Sequence, residues 1–198
     1  MIRAHALMLM EDYTQKPALR THMLGVEAAM RQMATYFNAQ EGVENVTATE
    51  RVERWGLAGL LHDFDYEKFV TVPDHPVKGS AILAEQGIDA EIRDAILGHA
   101  NLPEHPRTTL MAKALFAVDE LTGLVMAVTY VRPSKSVLDV EVSSVKKKMK
   151  DKTFAAGVNR DDIHQGAHEL ELDLEVLIAQ VIKALQDNAV ILHLAGPV

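Results

Sequence analysis

An all-α bundle is the fold class this sequence predicts. Apolar residues recur at spacings of three and four along most of the chain, the period of amphipathic helices. Proline-bearing and polar stretches divide those periodic segments from one another. Only Glu171-Leu172-Asp173-Leu174-Glu175-Val176 alternates like a strand, and the helical period that follows it favours helix there too.

The elements follow in order. Pro17 suits the first turn of a helix, where its missing N–H costs nothing. Beyond it, Leu19, Met23, Val26, Met30, Met33 and Phe37 form one buried stripe. Gly42 and the polar stretch to Thr49 end that helix. Thr49 is the expected N-cap of the next, with Val52, Trp55, Gly59 and His62 on one face. Residues 64–76 hold Pro73 and Pro76 and read as a loop. A helix is expected from about Pro76 to Gln86, stopped by Gly87. Asp89 then caps another, which turns Ile92, Ala95, Ile96 and His99 inward. Asn101 to Arg107 is a loop with two prolines, followed by the most apolar helix, about 108–131. Past Pro133 come the lysines 146–148, 150 and 152, a short capped helix near Asp161, and a terminal helix facing inward through Leu174, Leu177, Ile178, Val181, Ile182 and Leu185.

Composition narrows the function. With 198 residues, 48% apolar and 24% charged, the chain can bury a sizeable core and is not disordered. It has no cysteine, which excludes thiolate catalysis, disulfides and sulfur-ligated metals. A net charge of −8 argues against nucleic-acid polymers or anionic membranes as partners. The longest charge-free apolar run, Leu121–Val131, has 11 residues, against the roughly 20 a membrane span needs. The N-terminal segment lacks a signal-peptide pattern, so the expected location is cytoplasmic.

Asp119 is the first candidate for chemistry. Between Ala114 and Val131 only Asp119 and Glu120 are charged, and a carboxylate on so apolar a helix needs a partner or a metal. Glu120, about 100° further round the helix, is expected to reach solvent. His62 continues an inward stripe, and Asp63 follows it. His22, His75 and His99 also stand at inward or loop-mouth positions near helix ends. Any one could be a satisfied core histidine; together they suggest convergence on one centre. Imidazole and carboxylate suit Mn, Fe, Zn, Co or Ni.

The order His22 … His62-Asp63 … Asp119 resembles the signature of the HD superfamily of metal-dependent phosphohydrolases, over about Pro17 to Val131. The stretches Leu61-His62-Asp63-Phe64-Asp65-Tyr66-Glu67, Asp74-His75-Pro76, Leu97-Gly98-His99-Ala100 and Phe116-Ala117-Val118-Asp119-Glu120-Leu121-Thr122-Gly123 are similar to a group of small bacterial HD hydrolases of undefined substrate. The segment from Arg132-Pro133-Ser134-Lys135-Ser136 onward resembles that group's C-terminus. The resemblance implies a single HD-type helical domain over 1–198, with a metal-binding core about 17–131 and a helical C-terminal extension 132–198.

It implies further that His22, His62, Asp63 and Asp119 hold one divalent metal. His75 and His99 would hold a second, bridged by Asp63, with His105 as a competitor. Asp63 would be catalytic, orienting a metal-activated water toward a nucleotide or other small phosphate ester. Arg20 and Lys78 are candidate phosphate contacts, or else solvated surface charges. A di-iron oxygenase on the same fold and a non-catalytic metal-stabilised binding module are the alternatives. Asp65-Tyr66 where signalling branches carry Gly-Lys, and the absence of a Gly-Tyr-Pro triplet, argue against cyclic-di-GMP cleavage. A homo-oligomer is possible. His164 and His168 at i, i+4, the lysine cluster 146–152, and Met1, Met8 and Met10 read as surface helix, solvated face and core filling.

Overall fold

A computed structural model describes residues 1–197. Among them are nine α-helices: α1 (Arg3–Tyr13), α2 (Pro17–Glu41), α3 (Asn45–Leu61), α4 (Asp74–Glu85), α5 (Ala90–His99), α6 (Leu110–Tyr130), α7 (Val142–Met149), α8 (Arg160–Glu169) and α9 (Leu174–Asp187). No strand occurs among the described residues; one antiparallel bridge joins Ser136 to Ala195. The fold class is the all-α one the periodicity predicts.

The caps show why the helices lie where they do. Pro17 opens α2, and Gly42 closes it with φ +67°, a left-handed conformation that costs glycine least. Asp89 accepts from Glu91 N, Thr109 from Ala112 N, Asn159 from Asp161 and Asp162 N, and Asp173 from Glu175 N. Thr49 is not a cap. α3 starts a turn earlier, at Asn45, and the Thr49 hydroxyl donates back to the Asn45 carbonyl at 3.3 Å. In α4 His75 is extended, with φ −83° and ψ 129°, so regular helix begins at Pro76.

Two helices lack a sequence signal. α1 buries only Ala6 and Met10 and has no clear apolar stripe; a bidentate Arg3–Glu27 pair at 2.6 and 2.8 Å ties it to α2. Met10 fills the core, as expected of it, whereas Met8 and Met1 are exposed. α7 buries only Val145 and turns Lys146–Lys148 to its last turn.

α6 is the axis of the molecule. It packs against α2, α3, α5, α7, α8 and α9, and its buried residues span nearly its whole circumference. α2 and α3 approach very closely at Gly59, where a Cβ would stand 2.7 Å from the Val26 carbonyl oxygen. α9 buries Leu177, Ile178, Val181, Ile182 and Leu185 into the same core, which runs unbroken from Ala6 to Leu194.

Candidate metal centre

The end of α3 is held as a rigid turn. His62 caps α3, and Phe64 is fully buried with its ring 5.1 Å from that of Tyr13. Thr14 Oγ1 donates to the Phe64 carbonyl at 3.0 Å. The Glu67 carboxylate accepts from Gln15 N at 3.0 Å and Lys16 N at 2.7 Å, occupying amides at the start of α2. The turn carrying His62 and Asp63 is thus joined to the helix carrying His22.

Six side chains converge there. His22 Nε2 lies 2.9 Å and His62 Nε2 3.4 Å from Asp119 Oδ1. His75 Nε2 lies 3.2 Å and His99 Nε2 3.5 Å from Asp63 Oδ1, and the two Nε2 atoms are 3.3 Å apart. Asp63 Oδ2 turns the other way, 3.4 Å from His62 Nε2. His22, His62 and Asp119 therefore form one group able to hold a metal and Asp63, His75 and His99 another. Asp63 offers one oxygen to each side. His105 belongs to neither group.

Three of the imidazoles are fixed through Nδ1. His62 Nδ1 donates to the Gly59 carbonyl at 2.8 Å, His99 Nδ1 donates to the Ile96 carbonyl, and His75 Nδ1 lies 2.7 Å from Asp65 Oδ1. With Nδ1 protonated in each ring, Nε2 presents a lone pair to the centre. His62 Nε2 is fully buried and has no hydrogen-bond partner, an expensive state for a polar atom that a metal would relieve. Nitrogen and carboxylate donors without sulfur fit a divalent transition ion.

Without a metal, the cluster balances itself by charge. Burial opposes charge on His62, but Asp63 and Asp119 outweigh it and hold the imidazole well above its ordinary value. Burial likewise opposes charge on His75, which Asp63 and Asp65 push up to about 9. Burial would raise both aspartates, yet His62 keeps each well below the usual carboxylate range, with His75 and His99 assisting at Asp63 and His22 at Asp119.

The centre opens into a cavity of about 350 Å³ whose lining includes Tyr66, Val72, Asn101, Glu120 and Asp162 but no Lys or Arg. Glu120 does not simply reach solvent: burial and the neighbouring Asp119 push it up to about 7. Asp162, from α8, lies outside the stretch that carries the HD resemblance and was not legible as a site residue. Two expected phosphate contacts are directed elsewhere. Arg20 donates to the Thr14 carbonyl at 2.6 Å and the Glu11 carbonyl at 2.7 Å, and Lys78 pairs with Asp74 at 2.7 Å on an exposed surface. His164 and His168 are both exposed on α8.

The HD domain family model matches residues 19–188. The chain belongs to the HD domain family. That match runs through α8 and all of α9, so the family's extent in this protein includes the segment carrying Asp162. No curated protein and no solved structure matches the chain. HD domains are metal-dependent phosphohydrolases as a superfamily, and the two His/Asp groups are the places where this member could hold its ions. No helix among the described residues is long and apolar enough to cross a membrane.

Proposed function

We propose that the protein hydrolyses a small phosphate ester at a centre of two divalent metals. His22, His62 and Asp119 would hold one ion, His75 and His99 the other, and Asp63 would bridge them. The observation that carries this reading is Asp63 itself, with one oxygen directed at each histidine group. A bound divalent ion supplies acidified water and charge neutralisation at phosphoryl oxygens. Asp63 accepts a hydrogen bond from the attacking water and orients it. His62 and His99, locked through Nδ1, hold the floor of the site rigid. Glu120, next to Asp119 on α6, lines the same cavity.

The lining bears on substrate size. With no Lys or Arg lining the cavity, the metals alone must offset phosphate charge. Glu120 and Asp162 would repel further phosphates, which favours a monoester or simple diester over a polyphosphate. The test is metal analysis of protein purified without added metal, alongside a phosphatase and phosphodiesterase panel. Hydrolysis that needs the metal and vanishes in Asp63→Ala supports the proposal. The same paired groups favour one second reading, a di-iron oxygenase; substrate-dependent oxygen uptake with iron, and no hydrolysis on the panel, would select it.

A further inference from the structure

We propose that Arg107 is a positioning residue for His99 and that through it helix α8 fixes the second ligand group. Its side chain is 7% exposed, and every nitrogen of its guanidinium is engaged. Nη1 donates to the Gly98 carbonyl and to Asn101 Oδ1, both at 3.0 Å. Those two residues flank His99 and Ala100, so one guanidinium nitrogen brackets the segment that carries the ligand. Nε and Nη2 form a fork onto the Glu169 carboxylate of α8 at 2.8 and 2.6 Å. The guanidinium carbon lies 3.6 Å from the centroid of the Phe116 ring of α6, a cation–π contact that rests the fork against that helix.

Gly98 is part of the same device. A Cβ there would come within 2.9 Å of Arg107 Cγ, so the arginine lies directly across the backbone before His99. His99 is fixed from its own helix as well, Nδ1 donating to the Ile96 carbonyl. That bond sets the tautomer; the Arg107 bracket sets where the end of α5 lies relative to Asp63 and His75. No hydrogen bond of Arg107 reaches the first ligand group: His22 and His62 stand on α2 and the end of α3, and Arg107 meets α6, which carries Asp119, only through the face of the Phe116 ring. Loosening Arg107 therefore weakens one metal site and spares the other. That consequence rests on the reading that Asp63, His75 and His99 hold a metal; the placement of the His99 ring does not.

Two readouts on the full chain separate these claims. Manganese is titrated into metal-free wild type, Arg107→Lys and Arg107→Gln and followed by electron paramagnetic resonance. Ring ¹⁵N spectra of the histidines are recorded on the same proteins without metal. Lysine keeps a charge for Glu169 but cannot also bridge Gly98 and Asn101. Both variants are expected to weaken one of the two manganese sites about 10–100-fold and leave the other within about twofold. The His99 ring signals shift while those of His22 and His62 hold. Unaltered affinities, or equal weakening of both sites with a lowered melt, overturn the proposal. Wild type that binds one manganese overturns the two-metal reading instead, and the ring spectra then decide: His99 shifted alone supports Arg107 as its positioner, and His99 unmoved overturns it. Should Arg107→Gln not fold, Glu169→Gln loosens the same anchor while leaving the arginine in place.

Discussion

Asp63 has two oxygens facing two histidine groups, so its loss should be felt on both sides at once. Asp63→Ala is expected to abolish ester hydrolysis and reduce metal content while the helical circular-dichroism spectrum persists. Equal loss of helix and activity would make Asp63 structural only. Asp65 acts at one remove: its Oδ1 fixes His75, and its carboxylate is 1% exposed. Asp65→Asn should weaken the second metal about 10–100-fold, read by metal titration. The cluster also fixes the direction of a pH effect. In metal-free protein His75 titrates near 9 against an ordinary 6.5, so its stabilisation is full below about 6.5 and lost as pH rises through 9. His62 shifts the same way. Asp63 and Asp119, held below their ordinary 3.8, stabilise above that value and lose their effect as pH falls further. Chelated protein should therefore melt highest between about pH 4 and 6.5, and lower toward pH 9. Metal competes with protons for the same lone pairs, so loaded protein should gain stability over that upper range. Melting curves with and without chelator across pH 4–9 check both signs.

The helices place these residues by how closely they approach. α3 meets α2 at Gly59, whose carbonyl also receives His62 Nδ1. Gly59→Ala would set a methyl against the α2 backbone, where nothing flexible can yield. A loss of about 1–3 kcal/mol is expected for such overpacking, with weaker binding at the His22–His62–Asp119 group as His62 is displaced. Denaturant unfolding and metal titration read the two effects separately. Gly166 plays the same part for α8 against α6, its Cβ position being 2.5 Å from Ala117 Cα. That contact brings Asp162 to the cavity. α1 and α7 lacked a readable stripe because each buries two residues or fewer, and both are held by packing and ion pairs instead.

One core joins the helices that carry the His/Asp groups to the C-terminal ones, so the molecule should behave as one folding unit. The two parts were separated in the sequence by a change in composition at Pro133, but Leu177, Ile178, Val181 and Leu185 of α9 are fully buried with α2 and α6 residues. Full-length protein is expected to unfold in one transition, and a chain ending at residue 132 to be insoluble or molten; two separate calorimetric transitions would contradict this. Metal should act on the whole unit. At a concentration 100-fold above its dissociation constant a ligand adds about 2.7 kcal/mol, on the order of 5–10 °C in melting temperature for a domain this size. Adding a chelator should reverse that rise.

Much of this was legible in one dimension. Helical periodicity marked α2, α5, α6 and α9, because each buries a continuous stripe whose period is a property of the chain alone. The order of His22, His62-Asp63 and Asp119 pointed to the family, because residues carried on helices keep their order along the chain whatever the loops between them do. Other features needed three dimensions. In the sequence Arg20 read as a phosphate contact or a solvated surface charge, and in the fold it turns instead to the Thr14 and Glu11 carbonyls at the end of α1, which stand within its reach. Glu120 and Asp162 face one cavity although 42 positions apart, and Arg107 reaches Glu169 across 62. Those neighbours arise from the docking of α8 on α6, and sequence spacing carries no information about partners that only packing between distant helices brings together.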